Sequence, residues 1–304
     1  MNTITASAGR PPFTGLLFVL TAAFTFSAKA VIVKIAYGYG SHISPLILLT
    51  LRMVISLPFF LAALLVLQRN HSHVPLCGKD HLHLIALGAT GFYLSAYLDF
   101  VGLSYVSATL ERLILLLYPT LVILLSSIIF RRPITIKEAT ALLISYAGIV
   151  IVFAEELSIS GSNIMLGASL VFGSSSAYAL YIIGSGVMVK RIGAMRFTAY
   201  AMSVACLVTM VHFSLEFDSA IMDLPAPVYG LALLMAIVST VIPTFLMNAG
   251  IQRIGANSAS IISSMGPVMT LLLAYLFLDE QLSLIQLIGA LLVMTGVYVT
   301  STKR

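Results

Sequence analysis

The 304-residue sequence predicts an all-α integral membrane protein of ten transmembrane helices in two inverted five-helix repeats, with both termini on the cytoplasmic side. Three observations carry this expectation. Apolar residues make up 60% of the chain and charged residues only 9%, against roughly a quarter charged in a soluble domain. The charges in the polar connections change sign from one connection to the next. The second half of the chain repeats the helix pattern of the first.

Apolar runs of about 20 residues, enough to cross a hydrocarbon layer, fall at 13–37, 44–68, 82–104, 107–130, 137–155, 165–189, 196–215, 228–250, 256–278 and 283–300. Polar or turn-forming segments separate them, such as Arg131-Arg132-Pro133 after the fourth. Arg10, the first run and Ala28-Lys29-Ala30 also have the outline of a cleavable signal peptide. Removing that run would leave nine helices and spoil the repeat described below.

Alternate connections, beginning with the N-terminus, hold Arg10; Arg69, Lys79 and Asp80; Arg131, Arg132, Lys137 and Glu138; Lys190, Arg191 and Arg196; Arg253; and Lys303 with Arg304. The intervening ones hold Glu155 and Glu156, then Glu216, Asp218 and Asp223, then Asp279 and Glu280, with no Lys or Arg among them. Lysine and arginine accumulate in cytoplasmic loops, so both termini are cytoplasmic and the number of spans is even. The net charge of +5 is therefore mainly a topology signal, and no nucleic-acid partner is expected. Cys77 and Cys206 form no disulfide framework. The four histidines and Cys77 between Asn70 and His83 match no zinc spacing, so no metal and no cofactor is expected.

A shift of 148 residues aligns 102–151 with 250–299 without a gap, placing Gly102 on Gly250, Ala108 on Ala256, Pro119 on Pro267 and Gly148 on Gly296. The loops agree in length and disagree in charge, because Arg131 and Arg132 fall on Asp279 and Glu280. Equivalent loops then lie on opposite sides of the membrane. Five helices per half is odd, so the second copy inserts upside down, as in many secondary transporters.

The segments Ser107-Ala-Thr-Leu-Glu-Arg-Leu-Ile-Leu-Leu-Leu-Tyr-Pro119 and Ala259-Ser-Ile-Ile-Ser-Ser-Met-Gly-Pro267 are each followed by an apolar stretch, a charged pair and a helix with a late glycine. In this the sequence resembles the EamA-like branch of the drug/metabolite transporter superfamily. It departs from that pattern in having Arg131-Arg132-Pro133 where an acidic residue is common, and in lacking tryptophan. The resemblance implies a cytoplasmic tail over 1–12, one EamA-like repeat over 13–155, an extracytoplasmic linker over 156–164, a second repeat over 165–300 and a tail over 301–304. It also implies a multi-pass protein of the plasma (inner) membrane that exports amino acids, other small metabolites or drugs.

Six charged residues remain inside the predicted spans: Lys29, Lys34, Arg52, Asp99, Glu111 and Arg112, all in the first repeat. An ionisable side chain near bilayer centre costs about 2.5–3.5 kcal/mol, so such residues pair, face water or serve transport. With the first helix running outward and the second inward, all six fall in the outer half of the bilayer, where one cluster is expected. Four cations against two anions leave positive charge to attract a carboxylate. Lys34 is close enough to a helix end to snorkel. Lys29 shares a face with Thr21 and Thr25, which suits a wet groove. Arg52 can donate two hydrogen bonds to a carboxylate. Asp99 is an ion-pair partner or a proton carrier. Glu111 and Arg112 open the fourth helix, where Glu111 complements the helix dipole or pairs with Arg52.

Tyr93, Tyr97 and Tyr118 are candidate walls for an apolar or aromatic substrate portion, and Tyr178, Tyr181, Asn248 and Ser263 complete the expected binding set from the second half. The serines of the sixth helix read mostly as packing residues. Pro119 and Pro267 are expected mid-helix hinges. The leading functional expectation is a secondary transporter that exports amino acids or similar small metabolites by alternating access, with protons as a candidate coupling ion. Alternatives are a multidrug or cation exporter, a channel, and a polytopic enzyme. Against an enzyme or direct ATP use, the chain has no His-Glu-x-x-His, Gly-x-Ser-x-Gly or phosphate-loop motif.

Overall fold

The computed structural model describes residues 12–40, 43–68, 75–159, 163–255, 259, 262, 265–280 and 283–301. Among them the long helices are α1 (Pro12–Tyr37), α2 (Pro45–Gln68), α3 (Gly78–Leu103), α4 (Ala108–Ile129), α5 (Ile136–Ile159), α6 (Ile164–Ile192), α7 (Ala194–Leu215), α8 (Ala226–Ile254), α9 (Gly266–Leu278) and α10 (Leu284–Ser301). No strand occurs among the described residues. The first eight helices are long and apolar enough to cross a membrane, and the described parts of α9 and α10 are shorter apolar helices. Helix α3 begins before the expected residue 82 because Asp80 caps it: the Cys77 N–H donates to Asp80 Oδ2 at 2.7 Å. Arg191 at the end of α6 then pairs with Asp80 Oδ1 at 2.5 Å.

Local irregularities recur at the 148-residue shift. A π-helical turn spans Ala89–Leu94 in α3 and another spans Ile237–Val241 in α8. Helix α4 breaks after Leu115 and restarts at Tyr118, through Leu117 at φ −71° and ψ −11°. Met265, its equivalent ahead of α9, has φ −72° and ψ −10°. Both helices are followed by a left-handed residue, Arg131 at φ 50° and Asp279 at φ 54°. Backbone geometry thus repeats where side-chain identity does not.

The packing is reciprocal between the halves. Helix α1 packs on α8 and α9, while α6 packs on α3 and α4; α2 packs on α8 while α7 packs on α3. The pairs α2 with α7, α4 with α9 and α5 with α10 each join two equivalents. Small residues permit the tightest crossings. A Cβ on Gly102 would stand 3.0 Å from the Gly167 carbonyl oxygen, and one on Gly250 would stand 3.3 Å from that of Gly15. Gly148 and Gly289 oppose each other across α5 and α10, and a Cβ on either would come within 2.8 Å of the other's carbonyl oxygen. These contacts also align α1 with α6 at a shift of 152, Gly15 on Gly167 and Val19 on Val171.

Candidate substrate site

Five of the six charged residues within the spans come together. The Lys29 ammonium on α1 pairs with Asp99 Oδ2 on α3 and with Glu111 Oε1 on α4, the latter at 2.9 Å. All three side chains are buried. An ion triad taken out of water is stable only when its members stay paired, so three helices are tied here by mutual charge neutralisation. Asp99 Oδ1 and Glu111 Oε2 are buried without a hydrogen-bond partner among the described residues.

Two guanidinium groups flank this triad, and both are within electrostatic reach of Asp99. Arg52, 7% exposed, lies over the Phe100 ring of α3 at 5.0 Å, and Arg112 lies over the Phe26 ring of α1 at 5.3 Å. Neither guanidinium donates a hydrogen bond to any described residue, and each Nε is buried. The cations are thus held by ring faces, with their planar donors uncommitted. Gly266, at the start of α9, leaves the room that the Arg112 terminal nitrogen occupies.

The burial pattern of α1 shows where these groups open. Its outer flank carries Phe13, Leu17 and Phe24, all exposed, and its inner flank carries Val19, Ala22 and Val33, all fully buried. Phe26 falls on the inner flank at helical spacing, yet is 43% exposed. That exposure lies within the bundle. On α6, Tyr178 is half-buried on the face of buried Val171, Ser174 and Ser185, and at the 152-residue shift it is the equivalent of Phe26. Tyr118, within electrostatic reach of Arg112, meets Tyr178 edge to face at 5.3 Å. Phe26, Tyr118 and Tyr178 are therefore gathered beside Arg112. Phe26 escaped the sequence reading, which weighed polar groups; its register with Gly15 and Val19 was the available signal.

Tyr181 stacks on Tyr178 at 5.5 Å but is itself buried, stacked on Phe197 and in edge contact with Phe92, against Gly91 in the π turn of α3. Other expected residues lie elsewhere. Tyr93 and Tyr97 stack on each other and meet His212 of α7 edge to face, with Tyr93 Oη and His212 Nδ1 2.8 Å apart. Two residues from Asp99, Tyr97 points to the opposite flank of α3. The Asn248 amide nitrogen donates to Thr244 O of its own helix at 2.9 Å. Thr21 is exposed and Thr25 bonds back to the Thr21 carbonyl, so they do not accompany Lys29 inward. Ser263 lies outside the described residues, as do His71 and His73. Pro119 occupies the second position of the restarted part of α4 and Pro267 the second position of α9, where the missing N–H costs least. Ser175 on α6 donates to the Leu115 carbonyl, which Pro119 leaves without its helical donor, at 3.3 Å.

Acidic residues read as loop markers also grip α4. The Ser107 N–H and hydroxyl donate to Glu156 at 2.7 and 2.6 Å, and the Ala108 N–H and Thr109 hydroxyl donate to Glu280 at 3.0 and 2.9 Å. Two carboxylates thus cap the end of α4 that holds Glu111 and Arg112. Glu280 also lines, with Lys34, Tyr37, Ser44 and Leu278, a cavity of about 500 Å³ at the C-terminal ends of α1, α3 and α9. Lys34 belongs to this vestibule, apart from the triad.

The model of the EamA-like transporter family matches twice, over residues 13–154 and 165–302. The chain belongs to the EamA-like transporter family. This EamA-like chain is 34% identical over 285 residues to the uncharacterized transporter YcbK of Bacillus subtilis, covering 90% of this chain and 88% of the relative. It is 29% identical over 232 residues to the uncharacterized transporter YyaM of the same organism, covering 73% and 74%. A solved crystal structure shares the fold with a TM-score of 0.64 at 17% identity, over 95% of this chain and 98% of that one. The EamA-like protein is accordingly a multi-pass integral membrane transporter with a small-molecule substrate.

Proposed function

We propose that the protein is a secondary transporter of the plasma (inner) membrane that exports amino acids or similar small metabolites by alternating access. In this reading its ten helices form two inverted five-helix repeats with both termini cytoplasmic, and the reciprocal packing of α1 on α8 and α6 on α3 supports that arrangement. The observation that carries the reading is the buried Lys29–Asp99–Glu111 triad beside two uncommitted guanidiniums. Intramembrane charge of this kind is costly and is retained for transport. Rocking of the halves at the breaks before Pro119 and Pro267 exposes the site to alternate sides. A proton carried on Asp99 or Glu111 couples export to the membrane gradient.

The test is reconstitution in liposomes with labelled amino acids, nucleosides and cationic drugs. Saturable flux that is stimulated by substrate on the opposite side is the expected result. Flux rising linearly with concentration identifies a pore and removes the proposal.

A further inference from the structure

The charged site is asymmetric in what it leaves open. Its acceptors are spent or sealed: one oxygen each of Asp99 and Glu111 holds Lys29, and the other oxygen of each is buried. An arriving ammonium group therefore meets no open carboxylate in the triad. The open donor is Arg112, which is only partly buried where Asp99, Glu111 and Arg52 are buried and which donates no hydrogen bond to any described residue; the Nε atoms of Arg112 and Arg52 are buried without a partner. Three cations, Lys29, Arg52 and Arg112, face two anions, Asp99 and Glu111. The rings of Phe26, Tyr118 and Tyr178 are gathered beside Arg112.

From this we infer that the site reads the carboxylate of its substrate and not an ammonium group, so the transported class is small organic acids with an apolar or aromatic body. Arg112, beside Phe26, binds the carboxylate in fork geometry, and the rings take the body. Arg52, over the Phe100 ring and within electrostatic reach of Asp99, adds to the positive charge of the site. An amino acid is accepted through its carboxylate alone. The inference rests on the transporter reading above and narrows its substrate.

Matched sets of compounds test it: leucine, 4-methyl-2-oxopentanoate and 3-methylbutylamine, and phenylalanine, phenylpyruvate and phenethylamine. Two readouts are used, thermal stabilisation of the purified full-length protein and counterflow in liposomes at neutral pH. The oxo acids are expected to stabilise and exchange at least as well as the amino acids, with the amines inert. Arg112→Gln is expected to weaken oxo-acid binding about tenfold or more, the scale of one lost charge-assisted contact, with an unaltered gel-filtration profile. Should Arg112→Gln fail to fold, the wild-type series decides. Active amino acids with inert oxo acids, or active amines, overturn the carboxylate inference and leave the transporter reading standing. Inertness of all six compounds overturns the inference together with the export of such metabolites.

Discussion

Lys29 on α1 and Glu111 on α4 meet at 2.9 Å in the same buried cluster in which Lys29 also pairs with Asp99 of α3. A single ammonium thus compensates two carboxylates, and the three helices depend on it. Lys29→Met leaves both anions without that partner, at an expected cost of about 3–5 kcal/mol. The triple variant Lys29→Met, Asp99→Asn, Glu111→Gln removes the charges together and is expected to recover most of that stability while staying inactive. Thermal unfolding in detergent measures the first effect and liposome flux the second. Equal melting temperatures for wild type and Lys29→Met would remove the stabilising role of the triad.

The room at Gly266 is filled by the end of a flexible side chain, so a methyl group there displaces Arg112 more readily than it disrupts the backbone. Gly266→Ala is expected to fold and to raise KM about tenfold, or about 1.4 kcal/mol. An unchanged KM would show that the position of Arg112 is immaterial to binding.

Ser175 and Pro119 are coupled through the Leu115 carbonyl. Ser175→Ala leaves that carbonyl without a partner and should cost about 0.5–1.5 kcal/mol. In a Pro119→Ala background the restored N–H can donate to Leu115, and the cost of Ser175→Ala should shrink toward zero. A double-mutant cycle on unfolding free energies reads this coupling directly. Additive effects would deny it.

Glu156 and Glu280 together receive four hydrogen bonds from Ser107, Ala108 and Thr109. Loss of a helix-capping group costs about 0.5–2 kcal/mol, so Glu156→Ala and Glu280→Ala should each lower the melting temperature, and the pair more than either. Because α4 also carries Glu111 and Arg112, the double variant should lose transport at temperatures where it remains folded. Full flux in that variant would separate the clamp from the site.

Phe26 faces the interior of the bundle and Phe24 its outer flank, although both are about equally exposed at 43% and 44%. In a background lacking Cys77 and Cys206, Phe26→Cys should react with a charged, membrane-impermeant thiol reagent and be protected by substrate. Phe24→Cys, against lipid, should not react. The opposite pattern would place the cavity on the other side of α1.

The helices were legible because hydrocarbon thickness imposes their length and apolar character. The gathering of Lys29, Asp99 and Glu111 was foreseeable because unpaired charge is too costly to leave in a bilayer. Which partner each would take was not, since pairing depends on helix rotation: Arg52, expected near Glu111, lies over Phe100. The separation of Tyr97 from the triad has the same origin, a difference of two residues around α3. The clamp on α4 was invisible because Glu156 and Glu280 are distant from Ser107 in sequence and read there as topology markers. The two π turns shift helix register through an extra residue per turn, for which periodicity in an almost uniformly apolar segment offers no signal.

The 148- and 152-residue shifts carry Lys29 onto Tyr181, Asp99 onto Met247 and Glu111 onto Ala259. The scaffold is nearly indifferent to exchange of its halves, but its chemistry is not. In the inverted arrangement proposed above, the ion cluster distinguishes one leaflet from the other at the level of the site. The vectorial character of transport then resides in a few side chains of one half. Moving them to the equivalent positions, by Tyr181→Lys, Met247→Asp and Ala259→Glu with the originals neutralised, would reverse the polarity of the site without rebuilding the frame.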